Sequence, residues 1–122
     1  MLRVITDEKL LKMIDKELEV GEEISMSTKG KYTCYSLGGL QVVKSAFVSF
    51  TNKSILISVK EAIGYRVLKY KYNEMDNLDL ISKKNCYEIK IFLNTKKQEL
   101  VTDIKELEDV EFVSELAHII SH

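Results

Sequence analysis

Apolar positions near the N-terminus recur at helical spacing. They predict an amphipathic helix from about Asp7 to Glu19, which Thr6 caps and Gly21 ends. The apolar face of this helix is formed by Leu10, Leu11, Ile14 and Leu18. We therefore expect the helix to dock on the rest of the chain through that face.

From Glu23 the period of the apolar positions changes to two, which is typical of β-strands. Seven short strands follow, and the first members of their alternating sets are Met26, Ala46, Ile55, Leu68, Leu78, Tyr87 and Leu100. Helical spacing returns from about Leu107 to Ser121. This order predicts an α+β, mainly β domain, in which a strongly bent antiparallel sheet leaves an open end that the C-terminal helix closes.

Four segments of the chain resemble the bacterial pleckstrin-homology-like (PH-like) domain family. Residues 20–24 resemble its "pGE-i" approach to the first strand, and residues 47–57, around Thr51-Asn52-Lys53, resemble its "v-l-TNKRlif" hairpin. Residues 70–78 resemble its "ipy-eI-sv" segment, and residues 112–120 resemble its closing helix. The resemblance covers about Val20 to the C-terminus and is nearest to the YokE-type single-domain proteins.

The resemblance implies a seven-stranded bent antiparallel barrel over residues 22–122, closed by the C-terminal helix, with residues 1–21 as an extra N-terminal helix. It also implies homo-oligomers, since several such proteins assemble, although most have no assigned activity. Ser54 stands where the family usually has Arg, and Met75 where it usually has Ile. A contact made by that Arg is therefore not carried over to this chain.

Charge is segregated along the chain although the net charge is only −1. Residues 1–24 carry −3, residues 25–98 carry +8 and residues 99–122 carry −6, so a basic middle lies between two acidic ends. The basic residues are almost all lysine, with only Arg3 and Arg66 as arginine. Since sequence-specific DNA readers rely on bidentate arginine, nucleic acid is an unlikely partner.

The basic middle offers candidate anion or lipid contacts. Phosphoinositide recognition in the PH family needs clustered charge of the form K…[KR]-x-R, and Ala46 stands where the final Arg would be. The candidate lysines are Lys29, Lys31, Lys44, Lys60, Lys96 and Lys97. They predict at most weak contact with anionic membranes, and a plain solvated strand face is the alternative.

Apolar residues on the outward faces of the predicted strands indicate protein association. They are Phe47, Leu56, Ile81, Phe92 and Val101. A row of such residues on adjacent strands forms a patch suited to a second copy or another protein. Two routes are open: an acidic helix of one subunit meets the basic sheet of another, or edge strands pair. The alternative is that the N-terminal helix covers these residues.

Other chemistry has little support in the sequence. His118 and His122 have metal-ligand spacing, but His122 is the last residue and no further ligand is evident, so we expect no metal and no cofactor. No nucleophile elbow or phosphate-binding loop occurs, which predicts a protein that is not an enzyme. Cys34 and Cys86 are too few for a disulfide scaffold. With no signal peptide or membrane span evident, we expect a cytoplasmic location.

Overall fold

The structure, a computed structural model, describes residues 8–35, 39–93, 98–104 and 107–120. Its elements follow the order predicted from the sequence, with boundaries that differ by a few residues. They are α1 (Glu8–Glu17), β1 (Ile24–Tyr35), β2 (Gln41–Thr51), β3 (Ser54–Lys60), β4 (Tyr65–Lys71), a 3-10 turn (Tyr72–Glu74), β5 (Met75–Ser82), β6 (Tyr87–Leu93), β7 (Gln98–Ile104) and α2 (Leu107–Ile120). The chain is therefore mainly β with one helix at each end.

The described strands form one antiparallel sheet in the order β4-β3-β2-β1-β7-β6-β5. β4 and β5 are its two edges, and no ladder joins them among the described residues. The expected closed barrel is therefore wrong: the structure has a curved, open sheet. Irregularities in register after Ile24 in β1 and after Met75 in β5 bend the strands near the ends that approach α2.

The concave face of the sheet holds the main core. Alternate residues of all seven strands contribute to it, which the period of two requires. α2 lies against β5 and inserts Val113 and Leu116, and its Phe112 ring meets Phe50 edge-on with centroids 6.1 Å apart. The C-terminal helix thus covers one end of the sheet, as the apolar stripe predicted.

Gly30 allows β1 and β7 to pair. A Cβ atom at this position would lie 2.5 Å from the Val101 carbonyl oxygen and 2.9 Å from the Thr102 Cβ. Both distances are below any ordinary contact, so a side chain here forces the strands apart. Because β1–β7 pairing is the only link between β1–β4 and β5–β7 in the described ladders, this glycine is required for the continuous sheet.

α1 docks on the convex face of β3 and β4 and builds a second core. Leu10 and Ile14 are buried against Phe47 and Leu56, with Leu18, Tyr65 and Val67 partly buried around them. The expectation that Phe47 and Leu56 form an exposed interface was therefore wrong, because only 7% and 0% of these residues is accessible. They do point outward from the sheet, but α1 covers them, which was the stated alternative.

Candidate functional site

The convex face of the sheet carries most of the candidate residues, and the strand registers place them in rows. One row runs across neighbouring strands as Lys90, Val101, Lys31 and Ser45. Continuing the β2–β3 register beyond Ala46↔Val59 places Lys60 beside Ser45, and Lys60 pairs in turn with Tyr65. Since strands lie about 4.8 Å apart, Lys31 and Lys60 are separated by about 10 Å at the backbone. Residues far apart in sequence thus share one surface.

A depression of about 250 Å³ lies on this face where β1, β2 and β3 adjoin β4. We call it the lysine depression, and its lining consists of Lys29, Ser45, Ala46, Phe47, Lys60 and Tyr65. The Lys60 Nζ sits over the Tyr65 ring, 4.9 Å from the centroid. Neither Lys29 nor Lys60 makes an ion pair with any described residue, and no described carboxylate lines the depression. The charged side chains of its described lining are therefore all positive, and Asp103 is the nearby carboxylate across from Lys29 on β7.

A second depression of about 440 Å³ shares Lys29 and Ser45 with the first and extends toward β7. Its far wall carries Glu88 and Asp103, opposite Lys29 and Lys31. Glu88 is already paired with Lys83 at 2.5 Å. This surface therefore has charges of both signs, whereas the charged residues in the described lining of the lysine depression are all lysines.

Lys44 does not belong to this basic surface. It pairs in register with Tyr32 and so shares the concave face, where its Nζ is 2.7 Å from the Glu61 Oε2. Arg66 Nε approaches the other oxygen of Glu61 at 2.8 Å. Hydrogen bonds from Lys44 and Arg66 lower the pKa of Glu61. The grouping of Lys44 with Lys29 and Lys31 was wrong, because alternation along the strands puts it on the opposite face. Lys96 and Lys97 lie outside the described residues.

The remaining apolar candidates lie on the convex face of β5, β6 and β7. Ile81 is 39% exposed, whereas Phe92 and Val101 are half-buried. Lys90 lies over the Phe92 ring at 5.6 Å from the centroid and is 3.5 Å from Glu99. Charged side chains thus interrupt these apolar residues, which weakens the prediction of a continuous patch but leaves Ile81 open to contact.

Residues from two of the segments that carried the family resemblance are joined by hydrogen bonds, with Glu22, Thr51 and Ser54 buried at the centre. We call this set the hairpin clamp: Gly21, Glu22 and Glu23 before β1, and Thr51, Asn52, Lys53 and Ser54 in the β2–β3 turn. The Asn52 side chain accepts from the Glu23 N–H at 2.9 Å and donates to the Gly21 carbonyl at 3.0 Å. Lys53 Nζ donates to the Val20 carbonyl at 3.1 Å. This motif therefore ties α1 to the sheet, a structural role that sequence reasoning missed.

Glu22 is the centre of the hairpin clamp, and its side chain is fully buried. One carboxylate oxygen accepts from Lys69 Nζ at 2.8 Å and from the Glu19 N–H at 2.9 Å. The other accepts from the Thr51 hydroxyl at 2.5 Å and from the Ser54 hydroxyl. Burial alone would raise the pKa of Glu22, but these hydrogen bonds lower it to about 2. The carboxylate is saturated with donors, so it is a structural anion with no capacity left for a ligand.

The described part of the chain offers no evident site for metal or thiol chemistry. No group of His, Cys, Asp and Glu side chains there could hold a metal ion. His118 is exposed on α2, whereas His122 is not described. Cys34 and Cys86 are free and half-buried. No helix of the described ranges is long and apolar enough to cross a bilayer.

Comparison with known proteins gives a likeness of fold. No protein-family model and no curated protein matches the chain. Among solved structures, it is similar to the crystal structure of the C-terminal domain of an unknown protein from Leishmania infantum, at 13% sequence identity and a TM-score of 0.55. The match covers 89% of this chain and 95% of that chain. At this identity the likeness concerns the path of the backbone, and the architecture described above is thus one that another protein shares.

Proposed function

We propose that this chain is a non-catalytic interaction module of the PH-like type, which associates with itself or docks another protein. The observation that carries the proposal is the lysine depression, where Lys29 and Lys60 flank Ser45 without a described carboxylate partner. Surface lysines normally gain from nearby anions, and two that converge on one concavity favour an acidic side chain of a partner. The bound group is an Asp or Glu carboxylate on a partner segment.

The chemistry of the depression suits a protein carboxylate well. Two ammonium groups supply charge, the Ser45 hydroxyl supplies a neutral donor, and Tyr65 with Phe47 supplies an apolar wall. The acidic ends of this same chain offer such a segment, since residues 99–122 carry −6. Electrostatic attraction of this kind speeds association and fixes orientation more than it adds affinity, so we expect a salt-sensitive contact.

A membrane role is the second candidate, and one observation favours it. Leu40 and Ile63 are 71% and 94% exposed at the end of the sheet where the β1–β2 and β3–β4 connections lie, and Ile63 follows Lys60 in the β3–β4 connection. Apolar tips beside lysines suit an anionic bilayer surface. The cytoplasmic location remains a prediction under either candidate.

Binding of a fluorescent oligoglutamate peptide, measured by anisotropy at low and at physiological salt, tests the proposal. The variant Lys29→Glu/Lys60→Glu should weaken binding about tenfold or more, because two attractive charges become repulsive. Lys84→Glu is the matched control, since Lys84 is exposed outside the depression. It should bind like the unmodified protein.

Flotation with phosphatidylglycerol vesicles separates the two candidates. Peptide binding without flotation at physiological salt supports protein docking. Flotation that survives physiological salt and is lost in a Leu40→Ser/Ile63→Ser variant would replace it with the membrane role. Equal peptide binding by Lys29→Glu/Lys60→Glu and Lys84→Glu would refute the lysine depression as the site.

A further inference from the structure

The hydrogen bonds of β4 follow an alternation that can be read at both of its ends. At one end Glu61 donates its N–H to the Gly64 carbonyl, which makes 61 and 64 a hydrogen-bonded pair. At the other end the Lys71 N–H donates to the Glu74 side chain at 2.9 Å, so it points away from β3. In an antiparallel ladder, hydrogen-bonded pairs alternate with pairs that are not hydrogen-bonded. The bonds at both ends therefore agree on which residues of β4 are hydrogen-bonded to β3.

This alternation determines which backbone N–H and C=O groups of β4 face the open edge of the sheet. Arg66, Leu68 and Tyr70 exchange hydrogen bonds with β3 through their pairs Val59, Ile57 and Ile55. The N–H and C=O groups of Tyr65, Val67 and Lys69 therefore point outward, to the side where the described sheet has no further strand. β4 thus presents three donors and three acceptors in a regular row, which is a template for another strand.

We infer that β4 pairs antiparallel with β4 of a second copy of this chain, about a two-fold axis at Val67. In this register Val67 pairs with Val67 of the second copy, and Tyr65 of each copy pairs with Lys69 of the other. The N–H groups of Tyr65, Val67 and Lys69 in both strands then each find a carbonyl, while the Lys71 N–H keeps its bond to Glu74. The contact is isologous, so it closes as a dimer. This dimer locates at β4 the self-association that the proposed function includes. In that respect alone the inference rests on the proposed function.

The charges of β4 fit this register. Arg66 faces Leu68 of the second copy, Lys69 faces Tyr65, and Lys71 lies beyond the paired residues, level with the β3–β4 turn, so no cation faces a cation. Arg66 and Lys69 are also neutralised within their own copy, at 2.8 Å from Glu61 and Glu22 respectively. Edge lysines normally discourage strand pairing, but here the cation nearest the axis is already engaged.

α1 lies close enough to the axis to take part. It packs on β3 and β4, on the convex face. With strands about 4.8 Å apart, a two-fold axis beside β4 brings the two copies of α1 to about 10 Å from each other, within the range at which helices pack. Leu11, 40% exposed, and the half-buried Met13 flank the docked stripe of α1 on its two sides. Whichever side faces the axis, an apolar side chain meets the second helix.

Substitution of Val67 by proline tests the pairing directly. Because its N–H points outward, Val67→Pro removes a donor that β3 does not use, so the sheet itself loses no ladder bond. Val67→Ala is the matched control, since it shortens the side chain but keeps the N–H. We expect Val67→Pro to raise the dimer dissociation constant about tenfold to a hundredfold relative to Val67→Ala in sedimentation equilibrium, because both central hydrogen bonds are lost.

Hydrogen exchange on the unmodified protein keeps the test independent of whether Val67→Pro folds. The amides of Tyr65, Val67 and Lys69 should exchange more slowly as protein concentration rises, whereas Lys84 in the β5–β6 turn should not change. A monomer at every concentration, or a dimer whose β4 amides stay unprotected, overturns the inference. A dimer with protected β4 amides that binds no oligoglutamate overturns the lysine depression alone and leaves the pairing intact.

Discussion

Glu22→Gln is the substitution that probes the hairpin clamp most sharply. The amide keeps the size of the carboxylate but removes the charge that faces Lys69. It also places an NH₂ group against hydroxyls that donate to the native oxygens, those of Thr51 and Ser54. We expect a marked loss of stability at neutral pH, because Lys69 then loses its counter-ion in a site where its own side chain is only 21% exposed.

The size of the loss follows from the pKa of Glu22. A fall from its ordinary value of 4.5 to about 2 means that folding favours the ionised form by about 3 kcal/mol. Since the pKa of the folded state is the lower one, this stability is complete above pH 4.5. It is lost as the pH falls from 4.5 through about 2. By pH 3 about 2 kcal/mol of it should be gone.

Urea unfolding followed by circular dichroism at pH 7, 5 and 3 measures this contribution. The difference in unfolding free energy between the unmodified protein and Glu22→Gln should be about 3 kcal/mol at pH 7 and should shrink to about 1 kcal/mol at pH 3. Glu23→Gln controls for the general effect of acid, because Glu23 is exposed and only its backbone takes part in the clamp. A difference that stays constant from pH 7 to pH 3 would refute the argument, since it would mean that the charge of Glu22 is not what stabilises the clamp.

Two further substitutions test how the sheet and α1 are held. Gly30→Ala should lower the unfolding free energy by about 2–3 kcal/mol in urea melts, because its Cβ would lie 2.5 Å from the Val101 carbonyl oxygen; an unchanged midpoint contradicts the close approach. Ile14→Ala should speed tryptic cleavage within α1 while the sheet keeps its circular dichroism, since Ile14 is 1% exposed and its core is separate from the main one. Leu11→Ala, at a position 40% exposed, should have little effect, and equal cleavage of both variants would contradict the docking of α1.

The fold could be predicted from the sequence to a considerable extent, because the apolar period is a direct consequence of burial on one face. The seven strands and both helices were identified in the correct order, and the stripe on α2 indicated that this helix contributes to the core, although not that it packs on β5. Closure of the sheet was not predictable in this way. Whether β4 and β5 pair depends on strand bend and twist, which the residues of a single strand do not determine.

The candidate site was predicted less well, for two physical reasons. Lys44 was grouped with Lys29 and Lys31 through the lysine pattern of the PH family, but it lies one residue from Ser45, the partner of Lys31, and therefore on the other face. Phe47 and Leu56 were correctly placed on the outward face, but the partner that covers them is α1 of the same chain. The sequence alone could not show which N–H groups of β4 face outward, since residue type does not distinguish an outward N–H from an inward one.

The hairpin clamp offers a physical account of the segments that resemble the PH-like family. Glu22 is joined to the 51–54 turn by bonds between side chains, and Gly21 by a bond from the Asn52 side chain to its carbonyl. In this chain the cation that faces Glu22 comes from Lys69 on β4, and Ser54 donates its hydroxyl to the same carboxylate. In this chain these residues therefore fix the turn against the segment before β1. The proposed binding surface, the lysine depression, lies outside the hairpin clamp.

The most direct test of the central claim is to map where an acidic partner binds. Titration of the ¹⁵N-labelled protein with oligoglutamate, followed by amide chemical shifts, reports every residue at once. We expect the largest shifts at Lys29, Ser45, Lys60 and Tyr65, and we expect them to diminish as salt is raised. Shifts concentrated at Lys83, Lys84 or α1, or the absence of saturable shifts at low salt, would contradict the claim that the lysine depression is a docking site.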